Sequence, residues 1–207
     1  MTPATHRKLA AACPVMAGLI AQHGRCPIRA ADREPFEALA RAIIFQQLST
    51  KAAQTIHDRV AASFRGAGFP SPRQILRKDD DALRAAGLSR NKTAAIKDLA
   101  AKTLSGVVPT LADARTLDDE TLIARLIAVR GVGRWTAEMF LLSTLARPDV
   151  FAVDDLGLRK GAQRAFGLAT PLSPNALLEL GERWRPHRST ASWYLWRAAD
   201  APADAVP

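Results

Sequence analysis

Leu122-Ile-Ala-Arg-Leu-Ile-Ala-Val-Arg-Gly131-Val-Gly133-Arg-Trp-Thr-Ala-Glu-Met-Phe140 is the stretch on which the reading of this chain turns. Apolar residues 122, 126 and 129 share one helical face, Gly131-Val132-Gly133 then reverses the chain, and a second helix starts at once. A Gly-Val-Gly turn ahead of a helix N-terminus bares backbone N–H groups with little side chain in the way, and the helix dipole adds partial positive charge there. The result is a phosphate cradle. Its glycines allow positive φ or close backbone approach, Val132 is expected to plug the turn onto the core, and Arg134 to add charge-assisted contacts to a sugar-phosphate chain. A bare G-x-G is equally an ordinary αα-hairpin turn, so the surrounding sequence must decide.

Outward from the hairpin the chain reads as all-α. Alanine and leucine dominate, long β-branched alternations are missing, and Gly or Pro punctuates at helical intervals. Helices are expected over 6–12, 14–23, 34–64, 79–85, 91–104, 118–129, 134–145, 155–166, 174–184 and 187–199, with a Gly/Pro-rich loop at 66–72 and a flexible tail over 201–207. A second helix-turn-helix unit runs from Leu83 to Lys97, where Gly87 stops one helix and Ser89 or Asn91 is placed to cap the next.

Composition narrows the class. A chain of 207 residues that is 48% hydrophobic can bury a real core. Its 29 Lys and Arg against 20 Asp and Glu leave a net charge of +9, which calls for an anionic partner. No apolar run is long enough to span a bilayer, and the first 30 residues lack the order of a signal peptide, so a cytoplasmic, nucleoid-associated monomer is expected. Two cysteines, Cys13 and Cys26, exclude an iron-sulfur cluster held by four thiolates. His6, His23, His57 and His187 are scattered, and no side-chain cluster calls for a catalytic metal.

The hairpin followed by Asp149-Val-Phe-Ala-Val-Asp-Asp155 resembles the helix-hairpin-helix and catalytic-aspartate signature of DNA glycosylases, and most of all the alkyl-base, or 3-methyladenine, glycosylase II family. Two further blocks stand in the family's order. Pro35-Phe-Glu-Ala-Leu-Ala-Arg-Ala-Ile-Ile-Phe-Gln-Gln47-Leu-Ser-Thr-Lys-Ala-Ala53 is similar to its early helix with a Gln-Gln turn, and Trp184-Arg-Pro-His-Arg-Ser-Thr-Ala-Ser-Trp-Tyr-Leu-Trp196 to its C-terminal helix. The resemblance implies two helical lobes around a cleft, one built from 1–34 with 155–200 and the other from 35–154 with the hairpin at 122–145.

It also implies a chemistry. Breaking an N-glycosidic bond builds positive charge on the sugar, which a carboxylate beside C1′ stabilises while it orients or deprotonates water. Asp154 and Asp155 both stand at an expected helix start, where aspartate is also a favoured cap. The resemblance assigns catalysis to Asp155, with Asp154 as the second choice and otherwise a cap or a group that supports Asp155. Superfamily members that also cut the backbone carry a lysine nucleophile two residues after the second glycine; here that position is Trp135. A monofunctional hydrolase is therefore expected to act on alkylated purines in duplex DNA. A bifunctional glycosylase/lyase and a non-catalytic lesion-binding hairpin protein are the alternatives.

The extruded, positively charged base calls for indole or apolar walls. Pocket candidates are Trp135, Trp196, Phe45, Gln46 and Tyr194, with Gln47 as the wedge that fills the vacated space. Trp184 and Trp193 read better as core. Gly131, Val132, Gly133, Arg134, Thr136, Lys51, Lys92, Arg159 and Lys160 are candidate contacts to the DNA backbone. By the same resemblance the carbonyls of Ile127, Val129 and Val132 are placed to bind a structural Na+ or K+; no cofactor is otherwise required.

Overall fold

The computed structural model describes residues 2–200 except Asp32 and Ala67; the tail expected over 201–207 lies outside the described residues. The order is α1 (Pro3–Ala12), α2 (Pro14–His23), α3 (Pro35–Phe45), α4 (Thr50–Ala62), α5 (Pro72–Arg77), α6 (Asp80–Ala85), α7 (Arg90–Leu104), α8 (Leu111–Thr116), α9 (Asp119–Ile127), α10 (Arg134–Ser143), α11 (Leu156–Ala165), α12 (Pro174–Gly181) and α13 (Arg188–Asp200). Among the described residues there is no strand, so the fold is all-α as expected.

Local chemistry sets the helix starts. Ser49, Ser89, Thr110, Asp118, Asp155 and Ser173 each accept a hydrogen bond from the amide three residues on, which satisfies a donor the helix cannot. The single helix expected over 34–64 is in fact two. Gln47 adopts φ 57, a left-handed turn, and Ser49 then caps α4. Helix α5 replaces the end of the expected loop at 66–72, because Ser71 and Gln74 form a reciprocal capping box with Pro72 at the first helical position. Helix α8, also unforeseen, starts from Thr110.

The chain divides into two compact units, Met1–Ala31 with Leu141–Pro207 and Asp32–Phe140. The second boundary therefore falls inside α10 rather than at the expected 154. In the central unit α7 packs against α3 and α5, burying Leu39, Ile43, Ile75, Ile96 and Leu99. In the terminal unit α11 lies against α13, and α2 against both α1 and α13. Its core gathers Leu9, Met16, Leu19, Leu158, Trp184, Tyr194 and Leu195. The α11–α13 approach is a backbone contact, since a Cβ on Gly161 would stand 1.9 Å from the Leu195 carbonyl oxygen.

Candidate active site

In the central unit the hairpin forms as its sequence dictates. Gly131 has φ 76, Val132 is buried, its amide donates to the Val129 carbonyl (3.1 Å), and Ala137 N–H donates to Gly133 O (3.1 Å) to open α10. A Cβ at Gly133 would meet nothing of the chain within 4 Å, so open space borders the turn. Two side chains brace it. Asp98 accepts the Arg130 amide at 2.7 Å, and Gln46 Nε2 donates to Gly131 O at 2.9 Å. Burial opposes ionisation of Asp98, but the Arg130 amide and the Lys102 ammonium prevail and hold its carboxyl below the usual range.

Gln46 and Gln47 form the α3–α4 turn. A non-glycine residue in the left-handed region costs about 1–3 kcal/mol, so the turn needs an external hold. Lys92 supplies it, donating its ammonium to the carbonyls of Ile44 and Gln46, each at 2.7 Å. Lys92 is therefore a helix-end brace, not the exposed phosphate contact expected, and burial pushes its ammonium pKa down.

Beside this turn opens a cavity of about 450 Å³ lined by Ala42, Phe45, Gln46, Gln47, Trp135, Thr136 and Met139. It brings together Phe45, Gln46 and Trp135 from the expected pocket with the expected wedge, Gln47. Trp135 is 46% exposed. Met139 was not foreseen, although its place one helical turn after Trp135 puts both on one face of α10. Thr136, expected at the DNA backbone, is buried and lines this cavity instead.

The terminal unit carries the carboxylates, and here the expected cap is corrected: it is the second aspartate of the pair, not the first. Asp155 is itself the cap of α11, its Oδ1 accepting from Leu158 N–H at 2.6 Å and from Trp196 Nε1–H at 2.9 Å, while Asp154 is exposed and does not cap. Capping thus falls to the residue expected to act in catalysis. A Cβ on Gly157 would stand 3.1 Å from Asp155 Oδ1 and 3.4 Å from Trp196, so the glycine keeps the carboxylate's flank open. No sequence signal marked Gly157.

Several other expectations are corrected. Tyr194 belongs to the core, wholly buried with its hydroxyl donating to Gly24 O at 2.7 Å, and burial pushes its pKa up to about 12. Arg159 donates to Leu172 O at 2.7 Å instead of facing outward. Arg134 is exposed but paired with Glu120 (3.0 and 2.5 Å) and Glu138 (3.1 Å). Lys51 and Lys160 are exposed. Trp184 is buried as expected, and Trp193 packs against the core with Arg197 over its ring. Cys13 and Cys26 are buried thiols.

Residues 40–186 match the profile described as HhH-GPD superfamily base excision DNA repair protein. The chain is 39% identical over 167 residues to DNA-3-methyladenine glycosylase 1 of Schizosaccharomyces pombe, covering 81% of this chain and 73% of that protein. Among solved structures it resembles an S. pombe 3-methyladenine DNA glycosylase in complex with abasic DNA, with TM-score 0.86 and 34% identity over 96% of this chain and 98% of that one. It also resembles a DNA-3-methyladenine glycosidase from Bacillus halodurans, with TM-score 0.88 and 33% identity over 99% and 93%.

Proposed function

The chain belongs to the HhH-GPD superfamily of base excision DNA repair proteins, and from that membership we propose a monofunctional DNA glycosylase that hydrolyses the N-glycosidic bond of alkylated purines, of the 3-methyladenine and 7-methylguanine type, in duplex DNA. The observation that carries the reading is the Asp155 carboxylate, held between the first turn of α11 and the Trp196 indole. A fixed anion of this kind stabilises positive charge on the departing sugar and orients the attacking water. Trp135 in place of a lysine removes the amine that a Schiff base needs. Hydrolysis then leaves an abasic site without strand cleavage.

The central unit supplies recognition. Trp135, Phe45 and Met139 offer apolar and π-rich walls suited to a cationic base, and Gln47 projects from a strained, braced turn as the wedge. Phosphate is held by the amides of the Gly131–Gly133 turn and the start of α10, with Lys51 and Lys160 adding charge. A monovalent cation suits the hairpin. It needs only carbonyls, and Val129 O, which already accepts the Val132 amide, keeps a second lone pair; such an ion would link the Ile127, Val129 and Val132 carbonyls to phosphate. No described helix is long and apolar enough to cross a membrane, in keeping with a place on nucleoid DNA.

The test is incubation with methylated duplex DNA and chromatography of the released bases, with borohydride trapping in parallel. Release of methylated purines by the wild type and none by Asp155→Asn is expected. No release by the wild type, or a trapped covalent adduct, would overturn the reading.

A further inference from the structure

Glutamine, tryptophan and carboxylate account for the site, but not for the most heavily bonded charge cluster of the terminal unit, which lies just before Asp155. Residues 147–155 are irregular backbone and must find hydrogen-bond partners outside themselves. They find them on the first turn of α13. Ser189 Oγ donates to Arg147 O (2.6 Å) and accepts from Val150 N–H (2.9 Å), while Ser189 N–H donates to Pro148 O (3.0 Å). Arg188, only 8% exposed, grips Asp149 as a fork, Nε to Oδ1 and Nη2 to Oδ2, both 2.9 Å. Its backbone N–H adds a bond to Oδ1 (3.2 Å) and Nη2 another to the Asp149 carbonyl (3.1 Å). Burial opposes the Asp149 charge, but the Arg188 bonds win and hold its carboxyl below the ordinary range.

The other end of the same segment is tied to the same helix. Trp196 stands seven residues beyond Ser189, two helical turns, hence on the same face and about 10 Å further along the axis. Its indole holds Asp155 Oδ1 at 2.9 Å. Between the two ties Val150, Phe151 and Ala152 are buried, and Gly161 locks α11 backbone-to-backbone onto α13. A buried ion pair is a weak source of net stability, because desolvation offsets its attraction; what a bidentate fork does supply is a fixed position and orientation.

We propose that Asp149, Arg188 and Ser189 are positioning residues that set the reach of the Asp155 carboxylate, with α13 as the rigid rule between the two ties. The proposal rests on Asp155 being the catalytic carboxylate of a glycosylase.

Asp149→Asn in the full chain keeps the side chain's shape and removes the charge that the fork needs. Three quantities are read: single-turnover base release from methylated duplex DNA, affinity for abasic-site DNA, and amide hydrogen exchange over 150–158. At a temperature where circular dichroism shows the chain folded, release falls about 10- to 100-fold, since small displacements at a reacting centre cost that much. Affinity stays within about 2-fold and exchange over 150–158 quickens, the split expected when only the transition state is affected. The exposed Arg185, which touches Asp149 Oδ2 at 2.7 Å from outside the fork, serves as control: Arg185→Gln changes release by less than about 3-fold. If Asp149→Asn does not fold, Ser189→Ala carries the same prediction. Wild-type release and exchange in a folded variant overturns the proposal, and so does a parallel loss of affinity and release. Should the wild type release no base, the glycosylase reading fails instead, and the exchange comparison still decides the clamp.

Discussion

Helices α7 and α13 do the same job in the two units and do it differently. Helix α7 holds two separate turns, the one after α3 and the one before α10, whereas α13 holds the single segment 147–155 at both ends. Helix α7 grips backbone: Lys92 the carbonyls of Ile44 and Gln46, Asp98 the amide of Arg130. That leaves the side chains of Gln47 and Trp135 projecting from fixed main chain. Helix α13 grips the backbone of 147–150 and the Asp149 side chain with Arg188 and Ser189, then the Asp155 carboxylate with Trp196. On the proposed reading the central unit meets bases of different shape, and a frame fixed through its backbone suits that task. A carboxylate that meets a developing charge gains from being fixed itself.

The sharpest break of this comparison is Asp155→Asn. Asparagine is as good a cap as aspartate, so α11 should persist and the melting temperature stay near wild type while base release falls by at least about 100-fold. Asp155→Ala removes the cap as well and should cost about 1 kcal/mol of stability in addition. A thermal melt beside a release assay separates the two roles. An active Asp155→Asn would move the chemistry to another residue, with exposed Asp154 the first to test.

Next comes Trp196→Phe, which keeps an aromatic ring and deletes the indole N–H. A hydrogen bond to a charged group is worth about 1.5–3 kcal/mol, so a roughly tenfold slower single-turnover release is expected, with DNA affinity little changed. Loss of affinity in step with rate would mean that the indole binds the base and does not hold the carboxylate.

These roles were only partly legible in the sequence. The hairpin was, because Gly131 and Gly133 stand between two amphipathic stretches and turn chemistry is local. The break in the expected 34–64 helix showed only in the resemblance to a Gln-Gln turn and not in the helical pattern, because Gln47 takes a left-handed conformation that its residue type does not announce, and its support, Lys92, is distant in the chain. Helices α5 and α8 were missed although Ser71-Pro-Arg-Gln74 and Thr110 carry start signals; six residues are too few for periodicity to show, and the equally short α6 was legible through the Gly87 stop that follows it. Asp149-Val-Phe-Ala-Val-Asp-Asp155 was legible as a motif. Which aspartate caps depended on a one-residue shift of the helix start. Tyr194 was misplaced because residue type alone does not separate a core aromatic from a pocket wall. Lys92 and Arg159 were expected to serve phosphate because the carbonyls that take them up are brought close only by packing.

The Lys92 brace offers the mirror image of the Asp149 test. Lys92→Met retains the apolar stem but strands the carbonyls of Ile44 and Gln46, so stability should fall by about 1–3 kcal/mol. The left-handed turn at Gln47 loses its hold, and affinity for lesion-containing DNA should drop about three- to tenfold, with the single-turnover rate at saturating enzyme changing less. Binding titrations and release kinetics on one preparation check it. A variant that binds normally and reacts slowly would place α7 with α13 as a holder of chemistry.

The smallest effect concerns Arg134, a basic residue at the start of α10 whose charge already has partners within the chain. Arg134 meets Glu120 and Glu138 on an exposed surface, and the hydrogen bonds from Arg134 hold the Glu120 carboxyl below its ordinary range. A pair of this kind is worth about 0.2–1 kcal/mol, little enough for a DNA phosphate to displace the carboxylate. Glu120→Gln removes the competitor and leaves the arginine, so affinity at low salt should rise about two- to threefold. The plot of log affinity against log salt should also steepen by up to about one phosphate contact, some 0.9 in slope. A higher affinity with an unchanged slope would trace the gain to lost repulsion between Glu120 and DNA. No change in either would remove Arg134 from the interface and leave the hairpin to bind phosphate through its backbone amides, which is the same economy that α7 imposes on the rest of that unit.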